Sequence, residues 1–314
     1  MIEIRNLTKR FGDTVAVDDI SFDVVPGRVT GFLGPNGSGK STTMRMIMGL
    51  DWPTSGTVTV NERPYEGLRR PLFEVGALLD ANAVHGGRNA YNHLLSLAQS
   101  NGIPRGRVDE VIERVGLESV ARKRAGGFSL GMSQRLGIAA ALLGDPGVML
   151  FDEPVNGLDP EGIRWIRKLL RSFAAEGRTI LISSHLMSEM ALTADHLIVI
   201  GRGRLIADTS VEAFIAQSTK SFVRVRSPQL DELAGAITAQ GGSTRPEPDG
   251  ALAVSGVQIS AIGEVARNAG IALHELSPQV ASLEEAFMEL TRESVQFHAG
   301  ADAAHTPAAV GQEG

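Results

Sequence analysis

Cysteine is absent from this chain of 314 residues. Its absence excludes disulfide bonds, metal sites built on thiolates and cysteine nucleophiles, and it agrees with a reducing compartment. The seven histidines include no H-E-x-x-H pair, so the sequence does not predict a metal site built on histidine.

Long apolar runs and an excess of basic residues are also missing. No segment approaches the roughly 18 consecutive apolar residues of a membrane span, and the N-terminus lacks the apolar core of a signal peptide. The formal net charge of -6 gives no support to nucleic-acid binding as the main activity. We therefore expect a cytoplasmic protein, and its length predicts about two domains.

A glycine-rich segment carries the strongest motif in the chain. Its residues fit the pattern G-x-x-x-x-G-K-[ST] of a phosphate-binding P-loop, and they are Gly34, Pro35, Asn36, Gly37, Ser38, Gly39, Lys40 and Ser41. In such a loop backbone N–H groups converge on the α- and β-phosphates, while Lys40 neutralises the β/γ oxygens and the Ser41 hydroxyl ligates Mg²⁺. The motif predicts that the chain binds ATP or another nucleoside triphosphate with Mg²⁺. We include Thr42 among the binding residues and predict no other metal.

The neighbours of this loop fit the same interpretation. The apolar run over residues 29–33 predicts a buried strand, and Met44, Ile47 and Met48 recur at helical spacing after Lys40. The loop is therefore expected to end at a helix N-terminus, where the helix dipole favours phosphate.

Strand and helix signals alternate over residues 1–220. Strands are predicted around residues 20–24, 58–60, 148–151, 179–182 and 197–200. A helical pattern occupies residues 85–145, and one apolar stripe there is closed by Gly116 as a C-cap: Val108, Val111, Ile112 and Val115. This alternation predicts an α/β domain with a mostly parallel sheet and a helical subdomain.

A second, smaller domain is expected over residues 221–294. Strands are predicted at 222–226, 251–254 and 271–276, and helices at 230–239 and 258–269. Ser282 and Glu285 form a capping-box signature before a further helix. These elements predict a small α+β domain, and the composition of residues 295–314 predicts a disordered tail.

Polar residues follow two of the predicted strands. Asp152 and Glu153 come directly after the apolar strand at 148–151, where Asp152 would hold Mg²⁺ and Glu153 would polarise an attacking water. The alternative is an acid that caps a helix, but the P-loop favours the catalytic interpretation. His185 follows the strand at 180–184, at the edge where ligands bind in open α/β sheets. A lone histidine is more often structural, and this position favours contact with the γ-phosphate.

The order of these motifs resembles that of the ATP-binding subunit of an ABC transporter. Besides the P-loop, the resemblance rests on FSLGM at residues 128–132, here termed the signature segment, on LFDEP at 150–154, on NGLD at 156–159 and on His185. It covers residues 2–220 and implies a P-loop ATPase of the ABC type.

The resemblance also implies roles for individual residues. Ser129 and Gly131 would meet the γ-phosphate of an ATP held by another subunit, and Asp159 would lie at the dimer interface. His185 would be the switch histidine. Phe11 would stack on adenine, although a small-core anchor at a strand end explains Phe11 nearly as well.

Two positions depart from the family pattern. The signature is usually LSGGQ, and FSLGM keeps Ser129 and Gly131, so binding should survive the change. The family generally has a glutamine that contacts Mg²⁺ and water where this chain offers Asp80. Asp is shorter by a methylene and charged, and the resemblance implies that Asp80 takes over the contact with Mg²⁺.

The function implied by the resemblance is ATP hydrolysis that powers export through separate integral membrane permease subunits. The chain would act as a homodimer or heterodimer of ATPase subunits, peripheral on the inner face of the bacterial cell membrane. Residues 77–94, FSLGM and SLEEAFMEL most resemble ATPases of antibiotic and multidrug exporters of the bacitracin or daunorubicin type. The alternative is a soluble ABC-type ATPase outside transport, although those usually carry two cassettes or a long coiled coil. Glu153 disfavours a nucleotide-binding switch without hydrolysis.

Overall fold

The computed structural model describes residues 1–80, 83–218 and 220–290, and the chain divides into two compact units, Met1–Ser210 and Val211–Gly314. This division falls before the expected domain boundary at residue 220. Within the second unit the Ser221 hydroxyl donates to Ile215 O at 3.0 Å, which connects the helix Val211–Ala216 to the start of the strand that follows. The predicted tail at 295–314 lies outside the described residues.

The first unit contains nine strands within the described part of the chain. In chain order they are β1 (Ile2–Phe11), β2 (Thr14–Val24), β3 (Val29–Leu33), β4 (Ser55–Val60), β5 (Val75–Leu78), β6 (Val148–Phe151), β7 (Thr179–Ser183), β8 (His196–Gly201) and β9 (Arg204–Ser210). Its helices are α1 (Lys40–Ile47), α2 (Pro71–Glu74), α3 (Ala90–Ser100), α4 (Gly106–Val115), α5 (Leu130–Leu142), α6 (Pro160–Ala175) and α7 (Met187–Thr193).

Six of these strands form the main sheet, in the order β5-β6-β7-β3-β8-β9. Every neighbouring pair is parallel except β8 and β9, which confirms the predicted mostly parallel α/β sheet. The central strands β3, β6 and β7 are buried along their whole length. Strands covered on both faces need continuous apolar runs, and this is why they were recognisable in the sequence.

A smaller antiparallel sheet, in the order β2-β1-β4, packs its apolar side chains into the same core as β3. Ile4 lies between Phe22 and Val58 in the register of this sheet, and the Phe22 ring lies 5.5 Å from that of Phe32 on β3. The two sheets therefore share one hydrophobic core that supports the loop between β3 and α1.

Helices α3, α4 and α5 form the predicted helical subdomain. The apolar stripe of α4 is buried at all four predicted positions, and Gly116 ends the helix in the left-handed conformation at φ 69°. Both features confirm the sequence prediction. No helix within residues 1–80, 83–218 and 220–290 is long and apolar enough to cross a membrane.

The second unit is an α+β fold with a four-stranded antiparallel sheet in its described part. Its elements are α8 (Val211–Ala216), β10 (Phe222–Arg226), α9 (Leu230–Ala239), β11 (Ser243–Pro246), β12 (Leu252–Ser255), α10 (Ile259–Ala269) and β13 (Glu275–Gln279), and the strand order is β11-β12-β10-β13. Residues 283–290 are helical. The capping box is formed: Ser282 N donates to Glu285 Oε2 at 3.0 Å, and Glu285 N donates to Ser282 Oγ at 3.1 Å.

Two strands of this unit differ from the prediction. The strand expected at 271–276 begins at Glu275, because Gly270 ends α10 in the left-handed conformation and Ile271 N donates back to Ala266 O. β11 was not predicted. Both β11 and β13 are edge strands with polar sequences and one proline each, which edge positions tolerate and which leave little apolar signal.

Candidate functional site

The loop between β3 and α1 lies tightly against its surroundings. A Cβ atom on Gly34 would fall 2.4 Å from Ile200 O. One on Gly39, which has φ 105°, would fall 2.5 Å from Ala16 O. Neither position has room for a side chain, so the loop can present its backbone to a ligand from a fixed position.

This loop forms one wall of a cleft of about 320 Å³. The lining residues come from β2, from the loop, from the start of α1 and from the end of β6: Ala16, Asn36, Gly37, Gly39, Lys40, Ser41, Thr42, Asp152 and Glu153. Six predicted residues of the loop and α1 therefore meet both predicted acids at the carboxyl edge of the sheet, where parallel α/β sheets bind their ligands.

Lys40 is buried at the base of the loop. Its ammonium group donates to Gly34 O at 2.7 Å and to Pro35 O at 3.1 Å. Burial lowers the pKa of Lys40, while the carboxylates of Glu153 and Asp152 act in the opposite direction. The loop carbonyls thus hold a positive charge beside the acids, at the position where a P-loop lysine meets phosphate oxygens.

Ser41 and Asp152 are in direct contact, with the hydroxyl donating to Asp152 Oδ2 at 2.7 Å. The other oxygen of this carboxylate accepts a hydrogen bond from the Ser183 hydroxyl on β7. A hydroxyl and a carboxylate oxygen are ligands that Mg²⁺ prefers. The donor set beside the loop therefore fits a magnesium ion carried with a phosphate group.

Glu153 has an unusual backbone conformation, with φ 51°. For a residue other than glycine this left-handed conformation costs about 1–2 kcal/mol. Hydrogen bonds hold it from both sides: Glu153 N donates to Ser183 Oγ at 2.9 Å, and Gln134 Nε2 donates to Glu153 O at 2.7 Å. Backbone strain of this kind is found at functional sites, where the surrounding structure maintains it.

His185 is brought to the Glu153 carboxylate. Its Nδ1 lies 2.8 Å from Glu153 Oε2, and its backbone N–H donates to the same oxygen at 3.3 Å. Glu153 and His185, which follow different strands in the sequence, are thus in direct contact. His185 can therefore hold the Glu153 carboxylate in one orientation.

The signature segment lies elsewhere in the first unit and does not line the cleft. Ser129 is the N-cap of α5, with its hydroxyl accepting from Met132 N at 3.3 Å. Asp159 is the N-cap of α6 and accepts from Gly162 N at 2.8 Å. A Cβ on Gly131 would lie 3.0 Å from Gly157 O, so the signature segment packs closely on the loop that leads to Asp159.

Phe11 and Asp80 are also outside the cleft lining. Phe11 ends β1 with 52% of its surface exposed and with the Lys9 ammonium 4.9 Å from its ring. This exposure contradicts the core-anchor alternative. Asp80 follows β5, the neighbour of the strand that carries Asp152, and its carbonyl accepts from Ala83 N at 3.3 Å.

Sequence reasoning did not identify Ser183 and Gln134 as site residues. Ser183 is the last residue of an apolar strand and lies two positions before His185, which is a usable signal for a site at a strand end. Gln134 follows the signature segment on a helix, and its contact with Glu153 depends on tertiary packing that no local pattern encodes.

The comparisons with known proteins agree with this geometry. The sequence profile described as "ABC transporter" matches residues 17–156, and a domain of unknown function, DUF8746, matches residues 221–284. The uncharacterized ABC transporter ATP-binding protein YhcH of Bacillus subtilis (strain 168) is 34% identical over 298 residues, which cover 94% of this chain and 97% of that protein. The bacitracin transport ATP-binding protein BcrA of Bacillus licheniformis is 42% identical over 211 residues, 66% of this chain and 69% of that protein. The solved structure of cbiO1 from Clostridium perfringens, part of the ABC transporter complex cbiONQ, has a TM-score of 0.61 and 30% identity over 69% of this chain and 90% of that one.

The parallel sheet with its P-loop and strand-end acids defines a P-loop nucleoside triphosphatase. The comparisons with known proteins identify the family within this class. The chain belongs to the ATP-binding subunits of ABC transporters, and it is an ATPase. The family predicted from the sequence is confirmed, as is its similarity to the bacitracin-type subunits.

Proposed function

We propose that this ATPase powers the export of a drug, an antibiotic or another hydrophobic compound through separate integral membrane permease subunits. The relative BcrA, which is named for bacitracin transport, supports an antibiotic as the transported compound. The observation that carries the catalytic part is the cleft in which Lys40, Ser41, Asp152 and Glu153 meet, with His185 bound to Glu153.

In this proposal the cleft binds ATP through its phosphates. The loop backbone and Lys40 face the phosphate oxygens, and Lys40 exchanges its bonds to Gly34 O and Pro35 O for bonds to the nucleotide. Ser41 and Asp152 would hold Mg²⁺, which would neutralise charge on the phosphates. Phe11 stacks on adenine, and Asp80 adds a further contact to the metal shell.

Glu153 then acts as the general base that takes a proton from the attacking water. His185 holds the carboxylate by its ring nitrogen and its backbone N–H, and it contacts the γ-phosphate. The strained backbone of Glu153 supports this role, because Ser183 and Gln134 keep it in an orientation that a relaxed loop would not maintain.

Two copies, or one copy and a related subunit, complete the sites in this proposal. Ser129 and Gly131 lie outside the cleft of their own chain, which supports their use against an ATP held by a partner subunit. Asp159 lies at the same interface. The complex is located at the cytoplasmic face of a bacterial membrane, where the helical subdomain contacts the permease. It does not bind nucleic acid.

The test compares purified Glu153→Gln and Lys40→Ala proteins with the wild type. Glu153→Gln is expected to bind ATP and to lose about 10²- to 10⁴-fold in hydrolysis, because the amide keeps the shape but is a poor base. Lys40→Ala is expected to lose ATP binding or turnover, since the charge on the β/γ-phosphates is gone. Unchanged steady-state hydrolysis by Glu153→Gln would show that another group activates the water.

The composite arrangement has its own test, in dimers mixed from Lys40→Ala and Ser129→Arg chains. If the sites form between subunits, one site of each mixed dimer carries both defects and the other is wild type, so occluded ATP recovers to about half. If each site lies within one chain, every site keeps one defect and nothing recovers. Each variant alone is the control.

A further inference from the structure

An ion pair behind the cleft connects the two helices that follow the site loops. Arg167 on α6 donates from its guanidinium to Glu189 Oε2 on α7 at 2.5 Å, and the two side chains are 24% and 23% exposed. α6 begins directly after Asp159, and α7 begins two residues after His185. The pair therefore joins the helix that starts at the predicted subunit interface to the helix that starts at the switch histidine.

The pair lies beside the segments that contain Glu153 and His185. It lines a small cavity of about 10 Å³, close to the volume needed for one water. The other lining residues include the neighbours of Glu153 and of His185: Pro154, Val155, Ser183 and Ser184. A displacement of either charged side chain would thus be passed directly to the segments that hold the base and the histidine.

The helix α7 has few other anchors. It is seven residues long, only Met190 and Thr193 of it are buried, and no side chain caps its N-terminus. Glu189 is in the first turn of α7, shortly after His185, so a bond to Glu189 holds the start of this helix in place. A partly buried ion pair is seldom a net source of stability, because desolvation offsets the attraction, but it is directional and specifies one arrangement.

We propose that Arg167 and Glu189 are positioning residues for hydrolysis, which hold His185 in contact with the Glu153 carboxylate and keep it aligned with the helix that begins at Asp159. This inference rests on the proposed roles of Glu153 and His185. Neither residue belongs to the lining of the cleft. Loss of the pair should therefore slow the chemical step and leave nucleotide binding intact.

The experiment measures ATP turnover, KM and thermal unfolding for Arg167→Gln and Glu189→Gln. We expect kcat to fall about tenfold, less than the roughly hundredfold cost of a 1 Å misplacement, with KM within about twofold of the wild type. The charge-exchanged double variant Arg167→Glu/Glu189→Arg should recover a large part of kcat, because the pair is restored with its partners reversed.

A matched control is Arg178→Gln. Arg178 is 16% exposed and pairs with Asp145 at 2.8 Å, next to the amino ends of the same strands whose carboxyl ends form the site. This variant should change thermal stability and leave kcat unchanged. An equal loss of kcat in Arg178→Gln, parallel changes in kcat and KM, or wild-type kcat in both Arg167→Gln and Glu189→Gln would overturn the proposal. Hydrolysis that persists in Glu153→Gln would instead refute the catalytic role on which it rests.

Discussion

Replacing Ser183 by alanine should damage both the stability and the activity of the first unit. The Ser183 hydroxyl is fully buried, donates to the Asp152 carboxylate and accepts from Glu153 N at 2.9 Å. A hydrogen bond to a charged group contributes about 1.5–3 kcal/mol, and a neutral one about 0.5–1.5 kcal/mol. We therefore expect Ser183→Ala to lower the free energy of unfolding by about 3 kcal/mol.

Thermal unfolding of the purified chain measures this loss. For a unit of this size each kcal/mol shifts Tm by about 2–4 °C, so the expected decrease is about 6–12 °C. Turnover should fall as well, because Glu153 N loses the acceptor that helps to maintain its left-handed backbone. The binding of ATP should change less, since Lys40 and the loop are not bonded to Ser183.

The control is Ser184→Ala, whose hydroxyl is also buried and accepts one bond, from Leu186 N at 3.0 Å. It should lose about 1 kcal/mol, roughly a third of the loss expected for Ser183→Ala. A Tm of Ser183→Ala equal to that of the wild type, or a smaller decrease than in Ser184→Ala, would refute the assignment of Ser183 as the support of both acids.

Two further predictions concern the second unit and the helical subdomain. The hydrogen bonds from Ser282 and the Lys220 ammonium lower the pKa of Glu285 to about 2 from 4.5. Because the pKa of Glu285 is lower in the folded than in the unfolded chain, this carboxylate stabilises the fold above about pH 4.5, and the stabilisation is lost as the pH falls toward 2. Glu285→Gln should therefore flatten the dependence of the unfolding free energy on pH between these values. An unaltered pH profile would argue against the capping box as the source of the stabilisation. Cysteines introduced at Val84, Arg88 and Asn92 should form cross-links with the proposed permease, and the chain has no other cysteine that could react. Cross-linking only at a control position on another helix, such as the exposed Lys168 of α6, would place the docking surface elsewhere.

The elements that were predictable share a strong local signal. The buried strands β3, β6 and β7 are continuous apolar runs, and the P-loop pattern fixes glycine and lysine at defined spacings. The acids and His185 were found because the carboxyl ends of parallel strands meet at one edge. Local patterns were therefore sufficient for the four inner strands β6, β7, β3 and β8 and for the acids and His185, whereas the outer strands β5 and β9 of this sheet were not predicted.

The remaining features depend on contacts between distant residues. The strain at Glu153 arises from Ser183 and Gln134, which lie 30 and 19 residues away in the chain. β11 and β13 are polar because they lie at the edges of their sheet, so they resemble loops in the sequence. The solvent exposure of the Phe11 side chain depends on how the neighbouring strands pack around the end of β1, and the sequence of β1 alone does not encode that packing.

The hydrogen bond from Gln134 to the Glu153 backbone has a consequence for how two subunits would communicate. Gln134 lies on α5, the helix capped by Ser129. In the proposed pair of subunits, Ser129 would touch the ATP held by the partner, while Glu153 would activate the water that attacks the ATP held by its own chain. Each subunit would then sense one nucleotide and hydrolyse the other, through the amino-terminal end of a single helix.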